Sequence, residues 1–160
     1  MTAKVKSEVR ELHKDLIRAE EVCNLLGHLR SKRLGTSKLE FFLRNLFGGK
    51  GEQIGSNLRG KQMDREKVVK VMMDVLVKDA QRDAKKTRGK YWHKRAILSD
   101  LCRSTSQYRR AIDKISTDNQ SYRDMIKAKN KEKIDHLQKK FRPKVQLEPQ
   151  LSEFGSCNVF

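Results

Sequence analysis

The sequence predicts an all-α fold of three to five helices with heptad-like seams, long C-terminal helices and an extended C-terminal tail. No proline occurs before Pro143, and a proline inside a helix costs about 3 kcal/mol. Apolar residues recur at steps of three and four, the spacing of one helix face. Hydrophobic residues make up only 36% of the chain, so the core must consist of thin seams between helices.

The first predicted helix covers residues 4–33. Its apolar residues form a seam of steps of three and four: Val9, Leu12, Leu16, Ala19, Cys23 and Leu26. Gly27 interrupts this pattern. A helix that packs on its neighbours inside one domain is the preferred interpretation, and a coiled coil with a second chain is the alternative.

A second, short helix starts at Ser37-Lys38-Leu39-Glu40, which has the spacing of a capping box. It is the most apolar segment, with Leu39, Phe41, Phe42, Leu43, Leu46 and Phe47. Gly48-Gly49 ends it. We expect this helix to fill the core, and the alternative is an exposed docking surface for a partner.

The third predicted helix has Asp64 as its N-cap, runs to about Thr87 and ends at Gly89. Its apolar positions are Val68, Val71, Met72, Val75, Leu76 and Ala80. Residues 90–142 contain neither glycine nor proline, which predicts long helices.

Two apolar patches in that stretch, 98–115 and 134–141, are out of phase with one another. The polar residues 116–119 lie between them and can compete for backbone hydrogen bonds, so we expect a break or kink there. A single continuous helix is the alternative. From Pro143 onward the helical period is lost, so the sequence predicts a basic helical domain over 1–142 and an extended tail over 143–160.

The charge is the main indication of function. There are 37 Lys and Arg against 20 Asp and Glu, a net charge of +17. Such an excess repels itself in a compact chain and favours a polyanionic partner, most commonly RNA or DNA. No apolar run approaches the roughly 18 residues of a membrane span, so no membrane partner is expected. Three widely spaced cysteines and the lack of a secretory signal predict an intracellular protein, nuclear or cytoplasmic.

Residues 85–95 combine cations with aromatic side chains. Tyr91 and Trp92 are flanked by Lys85, Lys86, Arg88, Lys90, Lys94 and Arg95. Cations follow a phosphate backbone and aromatic rings stack on unpaired bases, so this segment is a candidate nucleic-acid site. In the alternative interpretation the two aromatic residues cover the end of a helix pair and the cations are solvated.

The second candidate segment covers residues 123–142. Its candidate phosphate contacts are Arg123, Lys127, Lys131, Lys139, Lys140 and Arg142. The alternative is a solvated charged helix. A helix on a membrane surface fits less well, because the apolar face is short.

Residues 55–62 nearly match the phosphate-binding loop G-x-x-x-x-G-K-[ST]. Gln62 replaces the hydroxyl residue, and the segment before the loop is a capped helix where the motif requires a strand. We therefore predict a flexible basic loop in which Arg59 and Lys61 can still contact phosphate.

No catalytic constellation or metal-ligand spacing stands out, so the sequence predicts neither an enzyme nor a bound cofactor. Cys23 and Cys102 lie on or beside seams, as small buried hydrophobic residues do. The alternative to nucleic-acid binding is a helical scaffold, whose apolar seams pair with another protein or with a second copy of the chain. A scaffold predicts an exposed apolar stripe, and nucleic-acid binding predicts a continuous basic face.

Residues 129–141 and 151–160 resemble the helical region that precedes the reverse transcriptase domain in invertebrate retroelement polyproteins, including Penelope-like elements. The resemblance implies an RNA- or DNA-binding extension that belongs to a longer reading frame. No Tyr-x-Asp-Asp motif occurs, so it implies no polymerase activity in this chain, and it assigns no functional residue.

Overall fold

A computed structural model describes residues 1–50 and 64–142, and within them it is all-helical, as predicted. The helices are α1 (Thr2–Ser31), α2 (Thr36–Phe47), α3 (Arg65–Leu101) and α4 (Thr105–Lys140). The predicted tail and the predicted basic loop at residues 55–62 lie outside the described residues. None of the described helices is both long and apolar enough to cross a membrane.

Three long helices form the body of the molecule. With 37 residues, α3 spans about 55 Å, and α4 is nearly as long. The start of α1 packs beside the end of α3 and the start of α4, whereas the end of α1 packs beside the start of α3 and the end of α4. Thus α1 runs antiparallel to α3 and parallel to α4.

The core has two parts. The larger one holds Leu26 and Leu29 of α1, Met72 of α3 and Leu137 of α4 around the short helix α2. Phe42 of α2 is completely buried there, which confirms that α2 fills the core. The smaller part lies at the other end of the bundle and combines residues of α1, α3 and α4: Val5, Val9, Leu16, Tyr91, Leu98, Ile112 and Ile115.

The predicted seam of α1 is confirmed as a packing face. Val9, Leu16 and Leu26 are buried, and Cys23 is half-buried. The start of α2 differs from the prediction: Gly35 is the N-cap and the helix begins at Thr36, before the predicted capping box.

The prediction that a helix ends at Gly89 is wrong, because α3 continues to Leu101. A single glycine costs only about 1 kcal/mol in a helix interior. Ala84, Tyr91 and Leu98 on either side of it are buried, and their burial more than offsets that cost.

The predicted break at 116–119 is also wrong. The chain turns at Cys102–Ser104 instead, and α4 is continuous from Thr105 to Lys140. The buried and half-buried positions of α4 include successive steps of four at Tyr122, Ile126, Asn130 and Ile134. The turn leaves Leu98 and Leu101 of the first patch on α3. The steps of four bring the rest of that patch, Ile112 and Ile115, onto the same face of α4 as Ile134 and Leu137, since the helical period of 3.6 residues exceeds the heptad's 3.5.

Candidate nucleic-acid interface

The structure places the two predicted basic segments on different helices. Residues 85–95 form part of the second half of α3, and residues 123–140 form the second half of α4, which Arg142 follows. Arg59 and Lys61, the predicted loop contacts, lie outside the described residues.

The two aromatic residues of the α3 segment have different environments. Tyr91 is only 5% exposed, and its ring stacks on that of His13 in α1 with centroids 5.2 Å apart. It is a core residue and is not available to stack on a base. Trp92 is 54% exposed, so of the two only Trp92 can face a ligand.

Three cations of the α3 segment contact neighbouring helices. Arg88 pairs with Glu20 at 3.2 Å, and Lys94 pairs with Glu8. The hydrogen bond from the Lys94 ammonium group lowers the pKa of the Glu8 carboxyl. Because both carboxylates belong to α1, these cations tie the two helices together.

Arg95 is engaged in a different way. Its guanidinium carbon lies 4.4 Å from the centroid of the Trp92 ring, and its Nε donates a hydrogen bond to the Tyr108 hydroxyl of α4 at 3.0 Å. The guanidinium therefore covers one face of the indole. A base that stacks on Trp92 must use the other face or displace Arg95.

The remaining cations of the α3 segment face solvent. Lys85, Lys86 and Lys90 are exposed, and none has an ion-pair partner among the described residues. Lys85 precedes Trp92 by seven residues, or two helical turns, so the two share one face of α3. This face offers a ligand one aromatic ring and neighbouring positive charge.

Arg123 connects the two segments. Its guanidinium lies 3.7 Å from the Glu20 carboxylate, which also pairs with Arg88. One glutamate of α1 thus holds an arginine from α3 and another from α4. This contact gives Arg123 a role within the bundle.

The free cations lie on the second half of α4 and just after its end. We use this name for the exposed residues Lys127, Lys131, Lys139 and Lys140 of the helix and for Arg142, which follows it. No ion-pair partner for any of them occurs among the described residues. Lys129 and Lys133 are exposed in the same stretch and also have no ion-pair partner there.

A groove of about 450 Å³ runs between α1 and the free cations of α4. Lys127 and Lys131 line it, together with the carboxylates of Glu21 and Asp135. The mixed charge of this groove makes it a poor phosphate pocket by itself. Lys139 and Lys140 do not line the groove.

A buried polar junction between α1 and α4 was not predicted. Asn119 is 1% exposed, and its amide nitrogen donates to the Arg10 carbonyl oxygen at 3.2 Å and lies 3.0 Å from Nδ1 of His13. Because the amide donates, Nδ1 must accept. Burial, aided by the positive charge of Arg123, lowers the pKa of His13 and so disfavours the charged ring. Asn119 lies four residues after Ile115, which is the next position on the apolar face of the helix. This spacing predicts its burial and is the signal that sequence reasoning missed.

Two cysteines, Cys23 and Cys102, lie among the residues that the structure describes. Cys23 and Cys102 are both free and half-buried, and burial raises the pKa of the Cys23 thiol. Across residues 1–50 and 64–142, no three His, Cys, Asp or Glu side chains come together in a way that could hold a metal ion.

Comparisons with known proteins leave the interface to be judged on its own geometry. No protein-family model matches the chain, and neither does any curated protein or solved structure.

Proposed function

We propose that this protein is a non-enzymatic nucleic-acid-binding helical module that acts mainly through phosphate contacts. The observation that carries the proposal is the set of free cations on α4, from Lys127 to Arg142. Residues 123–142 contain eight Lys and Arg against three Asp and Glu. Such a surplus on an exposed helix attracts a polyanion and releases the counterions bound to it.

The exposed face of α3 supplies a second, smaller contact surface. Lys85 provides charge on the same face as Trp92, which provides one accessible ring face, whereas Lys86 and Lys90 lie further round the helix. Stacking on an aromatic side chain requires an unpaired base, so this surface favours single-stranded or structured RNA or single-stranded DNA over a regular duplex.

The distribution of exposed apolar residues argues for this function over a helical scaffold. The large exposed apolar side chains among the described residues are Met1, Val22, Trp92 and Met125. No helix carries two of them at helical spacing, so no described helix presents the apolar stripe that a coiled-coil partner needs.

The resemblance of residues 129–141 to the helical region of retroelement polyproteins supports the same role, since that region precedes a polymerase that acts on nucleic acid. We place the protein in the nucleus or the cytoplasm, where nucleic acid is present and thiols such as Cys23 stay reduced.

A salt titration with labelled oligonucleotides tests the proposal. Binding to single-stranded RNA and DNA and to duplex probes is measured by fluorescence anisotropy between 50 and 300 mM salt, roughly the range over which phosphate contacts are resolved. We expect the logarithm of the affinity to fall linearly with the logarithm of salt, and single strands to bind more tightly than duplexes. Absence of binding at the lowest salt concentration would refute the function.

A further inference from the structure

A second basic feature lies at the opposite end of α4 from the free cations. A cavity of about 540 Å³ opens between the first turns of α1 and the turn that joins α3 to α4. Four cations line it, one from α1, one from the turn and two from α4: Lys6, Arg103, Arg110 and Lys114. We call this cavity the end pocket.

The end pocket contains no negative charge of its own. No Asp or Glu lines it, unlike the groove between α1 and α4, which Glu21 and Asp135 line. Its four cations are exposed, and none forms an ion pair within the described part of the chain. Four like charges around one concavity repel each other and focus a positive potential into it.

The helix ends at this end of the bundle have opposing dipoles. Both α1 and α4 begin here, at Thr2 and Thr105, and direct N–H groups and positive dipole outward, whereas α3 ends here at Leu101 and directs negative dipole outward. The positive potential of the end pocket therefore comes mainly from its four cations. The Gln107 side chain accepts a hydrogen bond from the Arg103 N–H at 3.2 Å, and the Gln107 N–H donates to the Ser104 hydroxyl at 3.3 Å. These bonds fix the turn that carries Arg103.

We propose that the end pocket binds a phosphomonoester dianion. A terminal phosphate carries up to two negative charges and three oxygens that accept hydrogen bonds, which suits several cations converging from different sides. An internal phosphodiester carries one charge and is bound equally well by cations spread along a helix. The 5′-phosphate end of a nucleic-acid strand and a free phosphorylated metabolite share this chemistry.

The site is independent of the free cations. By the helical rise, Arg110 and Lys127 are about 25 Å apart along α4. The inference therefore does not require binding on the second half of α4, and either site can fail without the other.

The test uses the full chain and three probes. A single-stranded oligonucleotide with a 5′-phosphate and the same oligonucleotide with a 5′-hydroxyl are compared by anisotropy, and adenosine 5′-monophosphate is titrated by calorimetry. We expect the 5′-phosphate to increase strand affinity about tenfold, the value of one good contact to a charged group. The Arg110→Gln/Lys114→Gln variant should abolish this increase.

The control is Lys139→Gln/Lys140→Gln, which removes two exposed cations from the other end of α4. This variant should weaken the binding of both strands equally and leave the ratio of the two affinities unchanged. Circular dichroism verifies that both variants stay helical, and Arg110→Lys should retain part of the preference if the first variant does not fold.

If the protein prefers the 5′-phosphate strand over the 5′-hydroxyl strand but does not bind the monophosphate, the ligand of the end pocket is a strand end. If the protein binds the monophosphate but does not discriminate between the two strands, and Arg110→Gln/Lys114→Gln abolishes this binding, the ligand is a free phosphomonoester. Equal affinity for both strands together with no binding of the monophosphate would overturn the inference, as would responses that the Arg110→Gln/Lys114→Gln variant leaves unchanged.

Discussion

Both basic segments are rich in Lys and Arg, but the environments of these cations differ. In residues 85–95, Arg88 and Lys94 pair with carboxylates of α1, and Arg95 covers Trp92. In residues 127–142, the cations face solvent, and none has an ion-pair partner among the described residues. A count of positive charges therefore does not locate a binding surface. Cations that contact groups of a neighbouring helix are held in place by those contacts, and exposed cations without such contacts are available to a ligand.

The largest expected effect comes from removing four free cations. The variant Lys127→Gln/Lys131→Gln/Lys139→Gln/Lys140→Gln should lose about 2.8 from the slope of log affinity against log salt on single strands, at about 0.7 per phosphate contact. Its affinity at 0.1 M salt should fall by roughly two orders of magnitude or more relative to the parent protein. Anisotropy titrations measure both quantities. An unchanged slope would place the binding surface elsewhere.

The buried junction between α1 and α4 should affect stability and leave binding intact. Asn119→Ala removes the partner of the Arg10 carbonyl and of His13, and an unsatisfied buried polar group costs about 1–3 kcal/mol. Urea unfolding measures this loss. The exposed residue next to Asn119, Gln120, is the matched control. The free energy of unfolding of Gln120→Ala should stay within about 0.5 kcal/mol of that of the parent protein. Equal stability of the two variants would show that the junction does not hold the helices.

The same junction predicts a pH dependence. The pKa of His13 is lowered in the folded protein, because its burial and the nearby Arg123 disfavour the charged ring, whereas the unfolded chain has the ordinary value of about 6.5. Below about pH 6.5, His13 binds a proton more readily in the unfolded chain than in the folded protein. The free energy of unfolding should therefore fall as the pH drops from about 6.5 toward the lower pKa of His13 in the folded protein. The effect should be smaller than that of Asn119→Ala, because His13 is only half-buried.

Urea midpoints measured between pH 5 and 8, about the range in which histidine titrates, test this dependence. His13→Gln should flatten the curve over that interval. A parent protein whose stability rises on acidification would contradict the assignment.

A smaller change of opposite sign is expected at Gly89. It lies inside α3, and a Cβ added there would meet nothing within 4 Å. Gly89→Ala should therefore raise the free energy of unfolding by about 0.5–1 kcal/mol without altering the salt slope. Gly48→Ala is the informative control, since Gly48 has φ of +50° and an alanine there should destabilise the chain. Altered binding in Gly89→Ala would indicate that the helix interior at Gly89 contacts the ligand.

The helices could be predicted because apolar spacing is a local property. The burial of Val9 and Leu16 and the end of α2 before Gly48 follow from residues close together in the chain. The errors at Gly89 and at 116–119 share one cause: a local preference against helix is weaker than the burial of neighbouring side chains. The polar side chain of Asn119 predicts a helix break, whereas in the structure it is buried against α1.

The division of the cations could not be predicted, because it depends on pairs that are distant in sequence. Glu8 contacts Lys94, and Glu20 contacts both Arg88 and Arg123. No spacing rule relates residues so far apart. The surplus of cations is visible in the sequence of both segments, and residues 85–95 contain no carboxylate at all. The sequence does not tell which surplus is paired with carboxylates of another helix. The end pocket was missed because its cations come from the starts of two helices and the turn before one of them.

The most direct test compares two variants that lose the same charge. One is Lys139→Gln/Lys140→Gln, which removes free cations, and the other is Arg88→Gln/Lys94→Gln, which removes engaged ones. The salt slope of single-strand binding should flatten by about 1.4 in the first variant, two contacts at about 0.7 each, and stay unchanged in the second. An equal loss of slope in both variants would contradict the account, because it would show that net charge alone determines binding.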